Sequence, residues 1–224
     1  VIRNMEEQLS GSCTVEIAAF NEFSDFITDK TKEKEYDYII FDTAPTGHTL
    51  RMLQLPSAWS TFISESTHGA SCLGQLSGLE EKKGIYKQAV NTLSDEKATS
   101  LILVARPDLA PLKEAARSSH ELNLLGIKNQ VLVINGVLQQ ADDNDKVSKL
   151  LSEKQTSALQ NIPEELKDYP AYSVPLRSYN LSTIENIRKM LSSDNLISGG
   201  DYKPLQGEKN LDDLVNDLFS SGKR

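Results

Sequence analysis

Short apolar runs that end on polar residues alternate with helical patterns along this chain, and this alternation restricts the fold more than any other feature. The runs Tyr36–Asp42, Ser100–Arg106 and Gln130–Asn135 are nearly continuous, which is typical of buried parallel strands. Ala171–Val174 is a shorter fourth run. Strands that alternate with helices are joined by right-handed crossovers. We therefore expect a three-layer α/β fold, with a mostly parallel sheet and helices on both faces.

Between the strands, apolar residues recur at the spacing of a helix face. Ser77 with Glu80 and Ser182 with Glu185 are capping-box patterns that predict helix starts, and Gly126 predicts a helix end. The apolar stripes are Ile17, Phe20, Phe23 and Ile27; Leu79, Tyr86, Val90 and Leu93; Leu112, Ala115, Ala116, Leu122 and Leu125; Ile187, Met190 and Leu191; and Leu211, Leu214, Val215 and Leu218.

Composition excludes several classes of protein. The chain has 224 residues, of which 38% are hydrophobic and 25% charged, and this composition is typical of a globular protein. It contains no apolar run long enough to span a bilayer. The net charge of -8 argues against nucleic acid and against an anionic membrane surface as the main partner. Cys13 and Cys72 are too few for a disulfide framework, and they lack the Cys-x-x-Cys spacing of a zinc site.

The segment from Tyr38 to Arg51 carries the sharpest chemical signal. An apolar strand ending on an aspartate, here Asp42, places a carboxylate where it can hold Mg²⁺ beside nucleotide phosphates. Pro45 and Gly47 then form a loop that can change backbone state, as a sensor of the γ-phosphate must. An apolar run before an aspartate occurs in many α/β proteins, so the longer string Asp-Thr-Ala-Pro-Thr-Gly-His-Thr is the more specific feature.

This string resembles the switch motif of the arsenical pump-driving ATPases, and of their eukaryotic relatives that target tail-anchored membrane proteins. Ser10–Phe23 and Gly69–Glu80 are similar to the family segments that carry metalloid-ligating cysteines. Leu103–Arg106 and Val133–Leu138 resemble the strands whose ends reach the adenine base. The resemblance covers most of the chain and weakens from about Val174 onward. It implies the deviant Walker type of P-loop NTPase fold.

The resemblance also implies cofactors and site residues. ATP and Mg²⁺ are the expected cofactors, with Arg106, Asn135 and Pro175 at the adenine base. The catalytic residues that the switch motif implies are Asp42, Thr43, Thr46 and Gly47.

Cys13, Cys72 and His48 are the metalloid ligands that the resemblance implies, with As(III) or Sb(III) as an allosteric ligand. Thiolates are the soft ligands that such metalloids prefer. Cys13 also lies at a predicted helix start, where the helix dipole favours the thiolate. Two alternatives remain: the cysteines are small buried residues, or His48 only orients the switch loop. His68 and His120 are expected at the surface.

A nucleotide-binding loop of the type Gly-x-x-x-x-Gly-Lys-[Ser/Thr] is missing from the sequence, as is the Lys-Gly-Gly variant expected in this family. We therefore expect the chain alone to be inactive as an ATPase, and to be part of a longer protein. Residues 1–191 are interpreted as a partial nucleotide-binding domain. Residues 192–224 are interpreted as a connector and terminal helix that lead toward a second half.

The expected function is ATP hydrolysis that drives arsenite or antimonite efflux from the cytoplasm. The implied partners are a membrane channel subunit, which would hold the protein at the inner membrane, and a second nucleotide-binding half or homodimer mate. Tail-anchored protein targeting is the alternative, but it requires a Met-rich groove, and the chain has 3 Met and the polar run Glu80–Gly84. A partition-type or iron-protein-like switch ATPase would leave Thr-Gly-His-Thr unexplained.

Overall fold

The computed structural model describes residues 21–42, 77–139, 144–177, 179–190, 207 and 209–220. The described residues fall into two compact units. One consists of the described parts of 1–99 together with 121–128, and the other of 100–120 with the described parts of 129–223.

The helices and strands follow the alternation expected from the sequence. Residues 21–28 are helical. The elements after them are α1 (Lys32–Glu35), α2 (Ser77–Ser94), β1 (Leu101–Ala105), α3 (Leu109–Leu124), β2 (Gln130–Val137), α4 (Lys146–Gln160), α5 (Glu164–Lys167), β3 (Ala171–Pro175), α6 (Ile184–Lys189) and α7 (Leu211–Ser220). Of these, α1, α4 and α5 were not predicted.

The strands form a parallel sheet in the order β1-β2-β3. In its register Leu101 pairs with Gln130 and Ala105 with Ile134, while Leu132 pairs with Ala171. The three predicted strands in this part of the chain are thus confirmed, with β2 continuing two residues beyond the predicted end, to Val137.

Helices cover both faces of this sheet, which confirms the expected three layers. Leu132 and Ile134 of β2 face a core cluster formed with α3, α4 and α5, whose contributions are Leu112, Ala115, Ala116, Ala158, Leu159 and Leu166. On the opposite face, Val131 and Val133 pack with β3 and with Leu214 of α7. The predicted terminal stripe therefore docks on the sheet, with Leu211 and Leu218 at its margin.

Lys209 joins the sheet just before α7 begins. Its backbone forms a parallel bridge with Tyr172: Lys209 donates to the carbonyl of Ala171 at 3.0 Å, and its own carbonyl accepts from Ser173 at 2.9 Å. Asn210 and Asp213 then cap α7 reciprocally, each side chain accepting from the other residue's backbone N–H. Apart from residues 207, 209 and 210, the predicted connector lies outside the described residues.

The other unit packs α2 against the helical residues 21–28. Ser24, Tyr86 and Ala89 are buried, and the hydroxyl of Tyr86 donates to Oδ1 of Asn21 at 2.5 Å. The first helix is confirmed where it is described, with Phe23 and Ile27 of the predicted stripe half-buried. Its beginning lies outside the described residues.

The prediction of a buried strand at Tyr36–Asp42 is wrong in this structure. These residues form no strand, and the side chain of Ile40 is 81% exposed. Phe41 instead packs edge-on against Phe23 and Phe26, with ring centroids 4.9 and 5.7 Å apart. An apolar run becomes a strand only where a neighbouring strand satisfies its backbone, and none of the described strands pairs with this one.

Two predicted helix boundaries have different outcomes. Gly126 ends α3 as expected: its φ is +88°, its N–H donates to Asn123, and the N–H of Ile127 donates to Leu122, which is the Schellman arrangement. The predicted cap of α6 is wrong by one residue. Thr183, not Ser182, accepts from the backbone N–H three positions later, at 3.2 Å.

Candidate functional site

Arg106 lies immediately after β1 and is exposed. The N–H of Asp108 donates to the carbonyl oxygen of Arg106 at 2.7 Å, so these residues form a three-residue turn around Pro107. The fixed φ of proline suits the central position of such a turn. The carbonyl of Asp108 then accepts from Leu112 at 3.1 Å, and α3 begins. The turn therefore fixes where the backbone of Arg106 leaves the sheet.

Asn135 lies where β2 departs from regular pairing with β3. Asn135 pairs with Val174 and Val137 pairs with Pro175, so Gly136 is an extra residue, a β-bulge. Gly136 has a φ of +81°, in the left-handed region that glycine enters without steric cost. The Asn135 side chain is exposed at this edge of the sheet.

The register brings the three residues predicted at the adenine base to one edge of the sheet. Ala105 pairs with Ile134 on strands about 5 Å apart, so Arg106, directly after β1, and Asn135 in β2 are the residues that follow this pair. Pro175 ends β3, and the N–H of Leu176 donates to Val137 at 2.8 Å, which continues the ladder beyond it. This is the carboxyl edge of a parallel sheet, where α/β proteins bind ligands.

The groups at this edge fit a planar heterocycle. The amide of Asn135 offers one acceptor and two donors, a pattern that matches the edge of adenine. Arg106 adds a planar guanidinium that can stack on an aromatic ring. Pro175 and Leu176 add apolar surface beside these polar groups.

Helix α4 contacts the backbone just beyond two of these positions. Oε1 of Gln155 accepts from the N–H of Leu138 at 2.9 Å, and Nε2 donates to the carbonyl of the same residue at 3.0 Å. Nζ of Lys154 donates to Oδ2 of Asp108. This bond from Lys154 lowers the pKa of Asp108 below its usual value.

Sequence reasoning missed Lys154 and Gln155. The sequence does contain a signal for Gln155. Leu151, Gln155, Ala158 and Leu159 follow helical spacing, so this glutamine occupies a position on an otherwise apolar helix face. Gln155 is 5% exposed, so its buried polar side chain had to find partners.

Asp42 belongs to the other compact unit and is exposed. Its carboxylate fits the Mg²⁺ chemistry expected of it, since this ion is usually held by one or two carboxylates, substrate phosphates and waters. Among the described segments, no group of three or more His, Cys, Asp and Glu residues could enclose a metal ion. The other candidates lie outside the described residues: Thr43, Thr46 and Gly47 of the switch, and Cys13, Cys72 and His48 as metalloid ligands.

None of the described helices is both long enough and apolar enough to cross a bilayer.

Comparison with known proteins supplies the family. The profile of the anion-transporting ATPases matches residues 1–194. An arsenical pump-driving ATPase of Escherichia coli is 44% identical over 222 residues, which cover 97% of this chain and 38% of that protein. Another, from Acidiphilium multivorum, is 45% identical over 194 residues, 86% of this chain and 33% of its own length. The ATPase GET3 of Zygosaccharomyces rouxii is 28% identical over 204 residues, 84% of this chain and 57% of that protein.

A parallel sheet with helices on both faces and polar residues at its carboxyl edge is an architecture that the P-loop nucleoside triphosphatases share with other α/β proteins, and the family match assigns the chain to that class. Within that class the chain belongs to the ArsA family of anion-transporting ATPases, because the family match extends over residues 1–194 of it. The chain spans 38% of the length of its Escherichia coli relative.

Proposed function

We propose that the protein containing this chain hydrolyses ATP to drive the efflux of arsenite or antimonite. The observation that carries the nucleotide part is the meeting of Arg106, Asn135 and Pro175 at one edge of the parallel sheet. The metalloid part rests on the relatives, which are arsenical pump-driving ATPases 44% and 45% identical to this chain. It rests equally on the cysteine-bearing segments that resemble theirs.

At the base, Asn135 reads the adenine edge through its amide, while Arg106 and Pro175 enclose the ring. The exposed positions of Arg106 and Asn135 on neighbouring strands support this assignment. Binding at the base would orient the triphosphate, and orientation is a large part of catalysis in phosphoryl transfer.

At the phosphates, Asp42 helps to hold Mg²⁺, which neutralises charge on the β- and γ-phosphate oxygens. Thr43, Thr46 and Gly47 sense the γ-phosphate through the switch loop. Neither role is complete within this sequence, since the phosphate-binding loop is missing from it.

Metalloid binding would couple to hydrolysis through the same loop, because His48 stands directly after Gly47. Cys13 and Cys72 supply soft thiolates for As(III) or Sb(III). A bound metalloid that also contacts a second nucleotide-binding half, or a homodimer mate, would favour the closed state in which hydrolysis is fast. The protein would act in the cytoplasm, attached to the inner membrane through a channel partner.

The alternative is ATP-dependent targeting of tail-anchored membrane proteins. The ATPase GET3 relative, at 28% identity, is less similar to this chain than the arsenical pump-driving ATPases of Escherichia coli and Acidiphilium multivorum, at 44% and 45%. The chain also has only 3 Met residues for an apolar client groove. We therefore favour efflux.

The test is the ATPase rate of the intact protein that contains this chain, with and without arsenite or antimonite. We expect arsenite or antimonite to raise the ATPase rate of the wild-type protein clearly, and to leave the rates of Cys13→Ser and Cys72→Ser unchanged. Ser12→Ala and Ser71→Ala, each next to a cysteine, should keep the stimulation. A wild-type rate that neither metalloid changes would refute the efflux function and favour targeting.

A further inference from the structure

Two consecutive residues of α4 hold the segments that follow β1 and β2. Lys154 bonds Asp108, two positions after Arg106, and Gln155 bonds Leu138, three positions after Asn135. Successive residues on a helix point about 100° apart, so one turn of α4 reaches both segments.

The contact from Gln155 is specific in its geometry. Leu138 is the first residue beyond β2, where regular pairing has ended. The Gln155 amide meets both its N–H and its carbonyl, at 2.9 and 3.0 Å, much as a neighbouring strand would. A leucine at position 155 would leave both backbone groups without these bonds. The contact therefore fixes the backbone just past the bulge at Gly136, which sets the direction of the Asn135 side chain.

The contact from Lys154 is exposed, and an isolated exposed ion pair contributes little to stability. The position of this ion pair matters more than its strength. Asp108 closes the turn on the carbonyl of Arg106 and begins α3. A bond to its carboxylate restrains the turn from which the Arg106 side chain extends.

Helix α4 is itself anchored independently of these contacts. Ala158 and Leu159 lie in the core cluster with Leu132 and Ile134. At its beginning, Asp145 accepts from the backbone N–H groups of the first turn. The helix can therefore act as a fixed support for the sheet edge.

We propose that Lys154 and Gln155 are positioning residues that set the spacing between Arg106 and Asn135, and so determine how selectively this edge accepts adenine. They act through the two backbone segments and do not touch the nucleotide. This inference rests on the proposed function of the edge as a base site. A misplaced amide loses discrimination between bases first, because hydrogen bonds to a base reject the wrong partner only when their geometry is correct.

The experiment compares Gln155→Leu with Gln160→Leu in the intact protein. The control makes the same chemical change at an exposed position of the same helix. We expect Gln155→Leu to raise the KM for ATP roughly tenfold while kcat stays within about twofold of the wild-type value. The variant should also show a smaller preference for ATP over GTP than the wild-type protein. Gln160→Leu should leave all three values unchanged. Melting temperatures show whether each variant is folded at the assay temperature.

Lys154→Ala, with Lys149→Ala as its control, repeats the test at an exposed position that does not endanger folding. We expect a rise of about two- to threefold in the KM for ATP and a smaller loss of base preference. If Lys154→Ala and folded Gln155→Leu both match their controls in KM and base preference, the positioning role is refuted. Failure of the wild-type protein to hydrolyse ATP in preference to GTP would refute the proposed base site itself.

Discussion

The hydroxyl of Tyr172 in β3 donates a 2.7 Å hydrogen bond to Oδ2 of Asp217 in α7, and Nζ of Lys209 donates to the same oxygen at 2.6 Å. The Tyr172 ring is buried, and Lys209 lies 5.8 Å above its centroid. Burial, together with the bond to Asp217, raises the pKa of Tyr172 to about 12. This cluster joins the terminal helix to the edge strand, where its apolar face also packs.

Tyr172→Phe tests how firmly the cluster holds α7. It removes one hydrogen bond and keeps the ring, so we expect the free energy of unfolding to fall by about 1 kcal/mol near pH 8. The difference from wild type should shrink as the pH rises from 10 toward 12. The pKa of Tyr172 is higher in the folded state than in the unfolded state, where it is about 10. The resulting stabilisation is therefore complete below pH 10 and is lost as the pH rises through the folded-state pKa of about 12. Urea unfolding at several pH values measures both effects; a difference that does not change with pH would contradict this.

Gly136→Ala tests the bulge beside Asn135. A Cβ on Gly136 would lie 3.8 Å from Cδ1 of Leu176, which is ordinary contact, so the cost comes from the φ of +81°. We expect the free energy of unfolding to fall by about 1–2 kcal/mol. Gly84→Ala is the matched control: it lies in α2 with open space around it, and should stabilise by about 0.5–1 kcal/mol. Equal effects at the two positions would count against strain at the bulge.

Thr183→Ala tests which residue caps α6. The Thr183 hydroxyl accepts from the N–H of Asn186, so its removal should cost about 1 kcal/mol in thermal or chemical unfolding. Ser182→Ala removes a hydroxyl one position earlier and should change stability by less than ~0.5 kcal/mol. The reverse order would restore the capping box read from the sequence.

The wrong prediction of Ser182 as the cap of α6 shows the limit of local sequence patterns. Both Ser182 and Thr183 have a polar residue three positions later, and the sequence alone could not choose between them. Backbone dihedrals decide the cap: Thr183 is extended, with φ −123° and ψ 150°. Gly126 was predictable because only a residue that tolerates positive φ ends a helix in this way.

Strands and the site differ in how far the sequence determines them. β1 and β2 are nearly continuous apolar runs and β3 is a shorter one, and such runs predict buried strands wherever neighbours exist. Tyr36–Asp42 has the same pattern, yet no described strand pairs with it, because strand pairing is a non-local property. The resemblance places Arg106 and Asn135 at the adenine base, and that role stays a prediction; the register shows only that both lie at the carboxyl edge of the sheet. Helical spacing marks Gln155 as a polar residue on an apolar face, but its partner was not predictable, because that partner is the backbone of Leu138, which no side-chain pattern records.

Asp42→Asn tests the phosphate side of the proposed site. The amide keeps the size of the side chain but loses the charge that would hold Mg²⁺, so we expect kcat to fall about a hundredfold or more. Nucleotide binding measured without Mg²⁺ should change little, because the base contacts at Arg106 and Asn135 are unaltered. Asp37→Asn makes the same change at an exposed position five residues earlier and should keep the wild-type rate. If Asp42→Asn hydrolyses ATP as fast as Asp37→Asn, then Asp42 holds no catalytic metal, and the exposed stretch that precedes it is only a surface loop.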